Sequence, residues 1–265
     1  MGVIVFNGVS SASQGIYIWS SPDYDVPEKD QEVYHVPGRS GDLIVDYGSW
    51  KNAQRTYTVT LGNQDTPNPS GNNWVPASQS ESFPVLARKL TNWINSAHAV
   101  GYARLEDSYD QGVYRMAYFK GGLQITNVFD VAAMATITFE CKPQRFLLSG
   151  ESQQTVSSGS TIANNTLYDS NPKFLVRGSG SGTIKCWRPA DTKDDAHVLY
   201  RVDMTDLTDS DLVIDGEMQE CYRGTASKNS TVTLSNGFPK LLSGGLYVTF
   251  TGVSSLKVVP NTWLL

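Results

Sequence analysis

Acidic residues are the most concentrated candidates for chemistry in this sequence. The stretch TDSDLVIDGE places carboxylates at Asp209, Asp211, Asp215 and Glu217. An EF-hand calcium loop needs oxygen ligands at positions 1, 3 and 5, but the fifth position counted from Asp209 is Val213. The spacing therefore fails for calcium and instead favours a turn after Asp215, beside a solvated strand edge.

A second acidic group could in principle hydrolyse glycosides, a reaction that needs two carboxylates flanking the scissile bond. The stretch RLEDSYDQGVYR supplies Glu106, Asp107 and Asp110 in an aromatic setting. A polar hairpin turn between strands at 102–105 and 113–118 is the favoured interpretation. The sequence also lacks the G-x-S-x-G nucleophile elbow and the phosphate-binding loop G-x-x-x-x-G-K-[ST]. We therefore predict no catalytic residue, no cofactor and no enzymatic activity.

Alternating glycines in RGSGSGT, residues 177–183, could suggest a phosphate cradle. Such a cradle needs a helix N-terminus after the glycines, because aligned N–H groups hold the phosphate. The run TIKCW that follows has the composition of a strand. We therefore predict that residues 177–183 form a hairpin turn.

Metal-binding and redox chemistry find little support in the histidines and cysteines. His35, His98 and His197 fall in unrelated elements, so no pair has metal-ligand spacing. The cysteines are widely separated and odd in number: Cys141, Cys186 and Cys221. This pattern is neither a disulfide framework nor a zinc site, so we expect reduced, buried thiols. No metal is predicted.

Apolar residues alternate with polar ones along most of the chain, which is typical of antiparallel strands with one face buried. The runs include Tyr57, Val59 and Leu61; Ala135, Ile137 and Phe139; Phe174 and Val176; Val232 and Leu234; and Leu246, Val248 and Phe250. Glycine, asparagine, aspartate, serine or proline bounds each run. The predicted fold class is mainly β, with two antiparallel β-sandwich domains.

One segment, SESFPVLARKLTNWINSAH, has helical spacing instead. Its apolar residues are Val85, Leu86, Leu90, Trp93, Ile94 and Ala97. Ser82 is a suitable N-cap, and Pro84 stands in the first turn, where its missing N–H is not needed. A single amphipathic α-helix over about 83–97 is predicted to pack on a sheet.

Two low-complexity stretches mark the organisation of the chain. Residues 64–80, QDTPNPSGNNWVPASQS, are polar and contain the lone Trp74, which suits either a flexible loop or an arm that orders against a neighbouring subunit. A composition shift at SGESQQTVSSGSTIANNT, residues 149–166, indicates a boundary between domains. The predicted domains are 1–146 and 147–265.

Charge excludes some partners. The net charge is -5; residues 1–142 carry 10 Lys and Arg against 14 Asp and Glu, and residues 143–265 carry 11 against 12. Since binding to phosphate backbones needs concentrated positive charge, nucleic-acid binding is not expected.

No apolar run reaches the roughly 20 residues of a membrane span, so no membrane insertion is expected. MGVIVFNGVS has no basic region before an apolar core, so no signal peptide is expected and folding in the cytoplasm is predicted.

The stretch VYHVPGRSGDLIVDYGSW joins two apolar runs through a glycine-rich corner that contains Arg39. Such a corner could be an anion-binding loop or a turn between strands. Gly38 and Gly41 can both take backbone angles that other residues avoid, which favours the turn. Arg39 is then exposed at its tip.

The order of these stretches resembles that of the distal tail (Dit) proteins of siphophages, the phages with long non-contractile tails. In the N-terminal half the resemblance is carried by FNG, GIYI, VPGRSGDL, YTVTL, ARKLTNWI, YARLEDSYD, YRMAYFKGGL and ATITFECKPQRFL. In the C-terminal half it is carried by NPKFLVRGSGSGTIK, DLVIDGEMQECYRG, NGFPKLLSGGLYVTFTG and KVVPNTWLL. Two departures are Gly244-Gly245, where the family often has Gly-Asn, and the ending PNTWLL, where it often has Pro-Arg-Trp.

The resemblance implies a structural protein of the virion, at the tail tip, made in the bacterial host cytoplasm. Its N-terminal β-sandwich, with one helix, would form a hexameric ring, single or stacked. A galectin-like β-sandwich would follow on the outside of the ring. One ring face would meet the major tail tube protein, and the other would hold the tail-associated lysin or baseplate hub.

A ring closes only if each subunit offers two different complementary surfaces, and extended arms are one way to make them. We therefore predict that Arg39, Trp74 and Tyr109 lie at or near subunit interfaces. The alternative is a carbohydrate-binding module that recognises host-surface saccharides through aromatic side chains. Its candidate residues are Trp187, Tyr200, Tyr222, Tyr247 and Trp263.

Overall fold

A computed structural model of the chain describes residues 2–19, 22–24, 26–61, 83–95, 101–128 and 132–265. Tertiary contacts gather the chain into two compact units, Met1–Arg145 together with Leu265, and Phe146–Leu264. We refer to them as the N-terminal unit and the C-terminal unit. No helix in these described ranges is long and apolar enough to cross a membrane.

The N-terminal unit is built mainly from antiparallel strands. Its elements are β1 (Ile4–Phe6), β2 (Val9–Ser10), a short 3-10 helix (Ser11–Gln14), β3 (Ile16–Ile18), β4 (Asp23–Tyr24), β5 (Lys29–Tyr34), β6 (Leu43–Trp50), β7 (Ala53–Leu61), α1 (Phe83–Asn95), β8 (Ala103–Asp107), β9 (Val113–Phe119), β10 (Ile125–Val128) and β11 (Ala132–Leu147). The main sheet has the order β2-β1-β8-β9-β11-β7-β3, with β10 added beside β11 and β4 beside β7. β5 and β6 form a separate two-stranded sheet.

The centre of the main sheet is the long ladder between β7 and β11. It runs in register from Leu61 opposite Ala133 to Ala53 opposite Cys141. Tyr57 on β7 and its partner Ile137 on β11 are fully buried, whereas the threonines that alternate with them point away from the core. The alternation in the sequence therefore places one face of this ladder in the hydrophobic core.

Helix α1 packs the face that its sequence spacing predicts. Leu86, Leu90, Trp93 and Ile94 are buried. The indole Nε1 of Trp93 donates a hydrogen bond of 3.1 Å to the carbonyl of Val9, which fixes the helix against the sheet. The predicted helix is confirmed over Phe83–Asn95; the proposed N-cap at 82 and the last predicted turn at 96–97 lie outside the described residues.

The C-terminal unit also consists mainly of antiparallel strands. Its elements are a short 3-10 helix (Leu148–Glu151), β12 (Gln154–Val156), β13 (Ser160–Ile162), β14 (Lys173–Trp187), a 3-10 helix (Asp195–His197), β15 (Tyr200–Leu207), β16 (Leu212–Asp215), β17 (Glu220–Arg223), β18 (Ala226–Ser227), a 3-10 helix (Asn229–Thr231), β19 (Val232–Ser235), β20 (Leu246–Val259) and β21 (Trp263–Leu264). The strand order is β12-β20-β14-β16-β17-β18, with β13 beside β20, β15 beside β14 and β19 beside β15.

The glycine-rich run at 177–183 is not a hairpin turn, and that prediction is wrong. It lies inside β14, which pairs with β16 before the glycines and with β15 from Gly180 onward. A Cβ on Gly178 would come within 2.6 Å of the carbonyl oxygen of Gly252 on β20. Glycines are needed here because two bulged strands approach closely. A tight turn also requires glycines, so the composition did not distinguish the two structures.

The prediction of a mainly β, antiparallel fold with a single α-helix in its first half is confirmed for the described residues. Each unit has its own buried cluster of apolar side chains. The N-terminal cluster includes Phe6, Tyr57, Leu90 and Phe139. The C-terminal cluster includes Phe174, Ile184, Val202 and Val258.

Candidate assembly surface

The hairpin formed by β5 and β6 differs from the rest of the N-terminal unit because it does not belong to the main sheet. Its strands pair antiparallel, with Val33 opposite Ile44 and Tyr34 opposite Leu43. A bulge near Gln31 shifts the register towards the base of the hairpin. A two-stranded sheet of this kind is at best marginally stable in water unless something covers one of its faces.

Large apolar side chains of this hairpin are exposed on both of its faces. The exposed residues are Val33, Tyr34, Val36, Leu43, Ile44, Val45 and Tyr47. Ile44 retains 59% of its accessible surface and Tyr47 retains 55%, although a soluble strand usually hides one of its two faces. A contiguous exposed apolar patch of this kind marks an interaction surface.

One face of the hairpin, which we call the tyrosine face, consists of Tyr34, Leu43, Val45 and Tyr47 around the carboxylate of Glu32. The hydroxyl of Tyr34 donates a hydrogen bond to Glu32. This bond, together with a second one from Tyr47, lowers the pKa of Glu32 below its usual value. The same bonds raise the pKa of both tyrosines. The tyrosine face therefore presents apolar surface with one ionised carboxylate at its centre.

The opposite face carries more charge. Lys29 Nζ lies 2.6 Å from Oδ2 of Asp46, and His35 Nδ1 lies 3.2 Å from Oδ1 of Asp42. Val33 and Ile44 lie between these two exposed pairs, since paired and alternate residues share a face. The two faces of the hairpin are thus chemically different.

The turn that joins β5 to β6 confirms the strand-to-strand interpretation of this segment. Gly38 and Gly41 have φ angles of 81° and 83°, in the left-handed region that favours glycine. The backbone N–H of Arg39 donates to the carbonyl of Val36 at 3.2 Å, and Arg39 itself is exposed. Arg39 therefore lies at the tip of the hairpin.

Tyr109 is in the turn between β8 and β9, and its side chain is 42% exposed. The turn is held by Asp107, whose Oδ1 accepts the backbone N–H groups of Tyr109 at 2.8 Å and Asp110 at 2.9 Å. The other oxygen of Asp107 accepts from Arg55 Nη2 at 3.0 Å and from the Tyr57 hydroxyl at 2.6 Å. A buried network thus fixes the turn that displays Tyr109.

Burial alone would raise the pKa of the Asp107 carboxyl. The hydrogen bond from Tyr57, the charge of Arg55 and the two turn amides outweigh that effect and lower the pKa below its usual value. Burial and the neighbouring carboxylate raise the pKa of Tyr57. Asp107 is therefore an ionised structural anchor at neutral pH.

Arg39 and Tyr109, two of the three predicted interface residues, are both exposed, and their place at subunit interfaces stays a prediction. Arg39 and Tyr109 lie on different turns, and no hydrogen bond or ion pair joins these two described residues. Trp74 lies outside the described residues. The exposed apolar side chains of β5 and β6 were missed because strand alternation implied that half of them would be buried. The run Leu43-Ile44-Val45 could have indicated this exposure, because three consecutive apolar residues place apolar side chains on both faces of a strand.

Five of the seven acidic residues considered for catalysis or calcium binding pair with cations, and Asp107 and Asp215 are two of them. Glu106 lies 2.6 Å from Arg104, Asp110 lies 2.9 Å from Arg115, and Asp211 lies 2.6 Å from Arg177. Among the described residues, no group of three or more histidine, cysteine, aspartate and glutamate side chains could hold a metal ion.

Asp215 forms the turn that the sequence predicts, but the strand before it does not lie at a sheet edge. It ends β16, a strand that lies between β14 and β17, so the predicted solvated edge is wrong. Its fully buried carboxylate accepts the N–H groups of Glu217 at 3.0 Å and Met218 at 3.1 Å, and it pairs with Lys173 Nζ at 2.9 Å. The predicted turn after Asp215 is confirmed, and it has the same carboxylate anchor as the turn after Asp107.

The aromatic residues considered for saccharide binding contact other parts of the C-terminal unit. Trp187 and Tyr200 are buried. Trp263 stacks on Tyr168 with 4.4 Å between ring centroids, and Tyr247 packs edge-on to Trp187 at 6.0 Å. The hydroxyl of Tyr222 donates to Asp215 at 3.4 Å. Each of these rings therefore has a structural role.

No protein-family model matches the chain, and no curated protein sequence matches it. Among solved structures, the fold is similar to the crystal structure of the SPP1 Dit protein (gp 19.1), with a TM-score of 0.70 and 11% sequence identity. The similarity covers 97% of this chain and 97% of that chain. SPP1 Dit is described as a paradigm of the hub adsorption apparatus in phages that infect Gram-positive bacteria. The fold expected from the resemblance to distal tail proteins is confirmed.

Proposed function

We propose that this chain is a structural subunit of a phage tail tip, where six copies form a ring that acts as a hub. The observation that carries the proposal is the hairpin β5–β6, exposed and apolar on both faces. It extends from a fold shared with a protein described as a hub of a phage adsorption apparatus. A separate two-stranded sheet with this much apolar surface needs a partner to cover it.

A second copy of the chain is the partner that fits a ring. A head-to-tail contact between two different surfaces generates a closed ring when the rotation per subunit divides the circle. The hairpin supplies one such surface, because it forms a separate sheet whose apolar side chains are exposed on both faces. Strand arms that cross a subunit junction gain affinity from main-chain hydrogen bonds and specificity from pockets for alternate side chains.

The two parts of the chain have different roles in this proposal. Residues 1–146 form the ring, with Arg39, Trp74 and Tyr109 at or near its subunit interfaces. Residues 147–265 are a galectin-like sandwich on the outside. One face of the ring meets the major tail tube protein, and the other meets the tail-associated lysin or baseplate hub. The protein is then a non-enzymatic component of the virion.

A host-surface saccharide is the alternative partner, and it predicts a different result. A carbohydrate-binding module would bind glycan as a monomer, whereas a ring subunit would assemble without any ligand. The aromatic contacts within the C-terminal unit give the alternative less support. A glycan array probed with the full chain tests it directly.

Light scattering on a sizing column, with negative-stain imaging of the peak, tests the ring. Six copies of 29.0 kDa give about 174 kDa, and a six-fold ring with a central channel would be visible. The variant Tyr47→Lys places a charge on the tyrosine face and is expected to reduce the mass to that of a monomer. Leu167→Lys is the matched control, because Leu167 is also exposed but lies in the C-terminal unit. A wild-type chain that stays monomeric at high concentration would contradict the proposal.

A further inference from the structure

A ring built from head-to-tail contacts needs a second surface on each subunit, one that receives the hairpin of the neighbour. The described part of the N-terminal unit offers a candidate rich in threonine, the outer face of the sheet where β7, β11 and β10 lie side by side. Asp23 of β4 pairs with Thr56 at the border of this face. Thr58 pairs with Thr136 across the first ladder, and Thr126 pairs with Met134 across the second. We call this surface the threonine face and include the exposed Gln124 beside it.

The threonine face is directed away from the core by strand alternation. Val59 and Ala135, which neighbour Thr58 and Thr136 along their strands, are buried. Thr126, Thr136 and Gln124 are exposed, and Met134 is half-buried. Thr60, which pairs with Met134 on the same face, is buried, so the exposed part of the face begins at Met134. Together with Gly122, these side chains line an open depression of about 540 Å³. The depression is wide enough to receive side chains from another molecule.

The threonine face differs in charge from a second exposed depression of the same unit. On this outer face of the β7–β11 ladder, the charged residue is Glu140 at the far end, where its carboxylate lies 2.9 Å from Lys120 Nζ. A second depression is lined by Arg115, Lys142 and Arg145. Covering those cations with apolar side chains would remove them from water at a high free-energy cost. Thr58, Thr126, Met134, Thr136 and Gln124 carry no charge, so Glu32 of the hairpin is the charged group that a contact with them removes from water.

The tyrosine face of the hairpin is complementary to the threonine face in chemistry. Tyr34, Leu43, Val45 and Tyr47 supply apolar surface that the methyl groups of threonine and the side chain of Met134 can cover. Glu32 needs hydrogen-bond donors once it is removed from water, because a buried carboxylate must be paired. Threonine hydroxyls and the Gln124 amide are donors of that kind.

The two surfaces also match in length. β6 has eight residues, and the ladder between β7 and β11 has nine residue pairs. At about 3.4 Å per residue, both extend over roughly 27–31 Å. A hairpin laid along the ladder would therefore cover it without a long overhang.

We propose that the tyrosine face of one subunit packs on the threonine face of the next subunit in the ring. This inference rests on the proposed function and adds to it the acceptor surface for the hairpin. The contact is heterologous, because the donor face and the acceptor face are different parts of the same chain. Repetition of one such contact closes the ring.

Disulfide cross-linking between two differently tagged, co-expressed chains tests the contact. One chain carries Thr136→Cys, and the other carries Leu43→Cys, Val45→Cys or Tyr47→Cys. The three native cysteines are buried, so they do not compete for oxidation. We expect a mixed disulfide dimer on a non-reducing gel from at least one of these pairs, because a bridge requires Cβ atoms about 4 Å apart.

Ile44→Cys, paired with Thr136→Cys, is the matched control. Ile44 lies on the opposite face of β6 and is more exposed than Val45, so random collisions would favour it. Mixed dimers that form equally well with Ile44→Cys would overturn the proposal. Rings of wild-type mass that yield no mixed dimer would overturn the acceptor surface and leave the ring intact. A chain that is monomeric at every concentration would overturn both.

Discussion

The hydroxyl of Tyr57 lies 2.6 Å from Oδ2 of Asp107, and both side chains are buried in the N-terminal unit. Arg55 reaches the same oxygen at 3.0 Å, so one carboxylate receives a neutral and a charged donor from strand β7. Its other oxygen binds the turn that carries Tyr109. The exposed position of Tyr109 therefore depends on residues that no partner can touch.

Replacement of Asp107 by asparagine is expected to destabilise the N-terminal unit by roughly 3–5 kcal/mol, because breaking a buried ion pair costs about that much. The side chain of Asp107 is 2% exposed, and that of Arg55 is 3% exposed. Urea unfolding of the full chain, followed by tryptophan fluorescence, measures the change in free energy.

Glu106→Gln is the control for that measurement. Glu106 precedes Asp107 and pairs with Arg104 at 2.6 Å, but its side chain is 31% exposed. Exposed pairs contribute at most about 1 kcal/mol. Equal losses for the two variants would show that Asp107 is not the anchor that we describe.

Acid should destabilise both units through their buried aspartates. The folded-state pKa values of Asp107 and Asp215 lie below the ordinary value of 3.8, because their donors outweigh the effect of burial. A lowered folded pKa gives stability that is complete above the unfolded value and is lost as the pH falls through the folded one. Thermal unfolding between neutral pH and strongly acidic pH should therefore show a falling midpoint. Asp107→Asn should show a smaller fall, and its curve should approach that of the wild type in acid.

Gly252→Ala should destabilise the C-terminal unit more than Gly180→Ala. The two glycines have φ angles of 70° and 74°, so each alanine would cost about 1–2 kcal/mol for a left-handed conformation. A Cβ at Gly180 meets nothing within 4 Å, whereas a Cβ at Gly252 would overlap the carbonyl oxygen of Ser181. Overpacking adds about 1–3 kcal/mol. Equal thermal midpoints for the two variants would rule out close packing of the bulged strands.

The three cysteines should resist thiol reagents until the chain unfolds. Burial raises the pKa of Cys141 and Cys186 to about 12, and that of Cys221 to about 11. Because the thiolate is the reactive form, a colorimetric thiol reagent should detect little free thiol in the native protein at neutral pH. The same assay in denaturant should detect all three. Rapid labelling of the native protein would contradict the buried positions.

Local sequence patterns predicted the elements whose burial follows a simple period. Helix α1 is an example, since Leu86, Leu90 and Trp93 recur on one helical face and lie in the core. The turn at 37–42 is another, because Gly38 and Gly41 supply the left-handed angles that it needs. In both cases neighbours along the chain determine the conformation, so the information is local.

The features that the sequence did not predict depend on contacts between distant residues. The sequence predicts Gly178 to be a turn residue, but the structure shows that it approaches Gly252, 74 positions away, closely. Asp107 and Asp215 were predicted only as turn residues, and their burial beside Arg55 and Lys173 depends on contacts between distant strands. The exposure of the hairpin was not predicted for a different reason. Its apolar residues form strands, as their sequence pattern indicates, but they do not pack on a hydrophobic core.

The long strand β14 has a consequence for how this chain can change over evolutionary time. It holds β16 with its first part, β15 with its second, and β20 along most of its length. Insertion or deletion of one residue would turn every later side chain to the other face of the sheet and break register with several partners at once. Substitutions within β14 can accumulate as long as inward positions stay apolar, but its length is fixed. The turn at 37–42 has no such constraint, so we expect differences in length between homologues to collect there and in similar exposed turns.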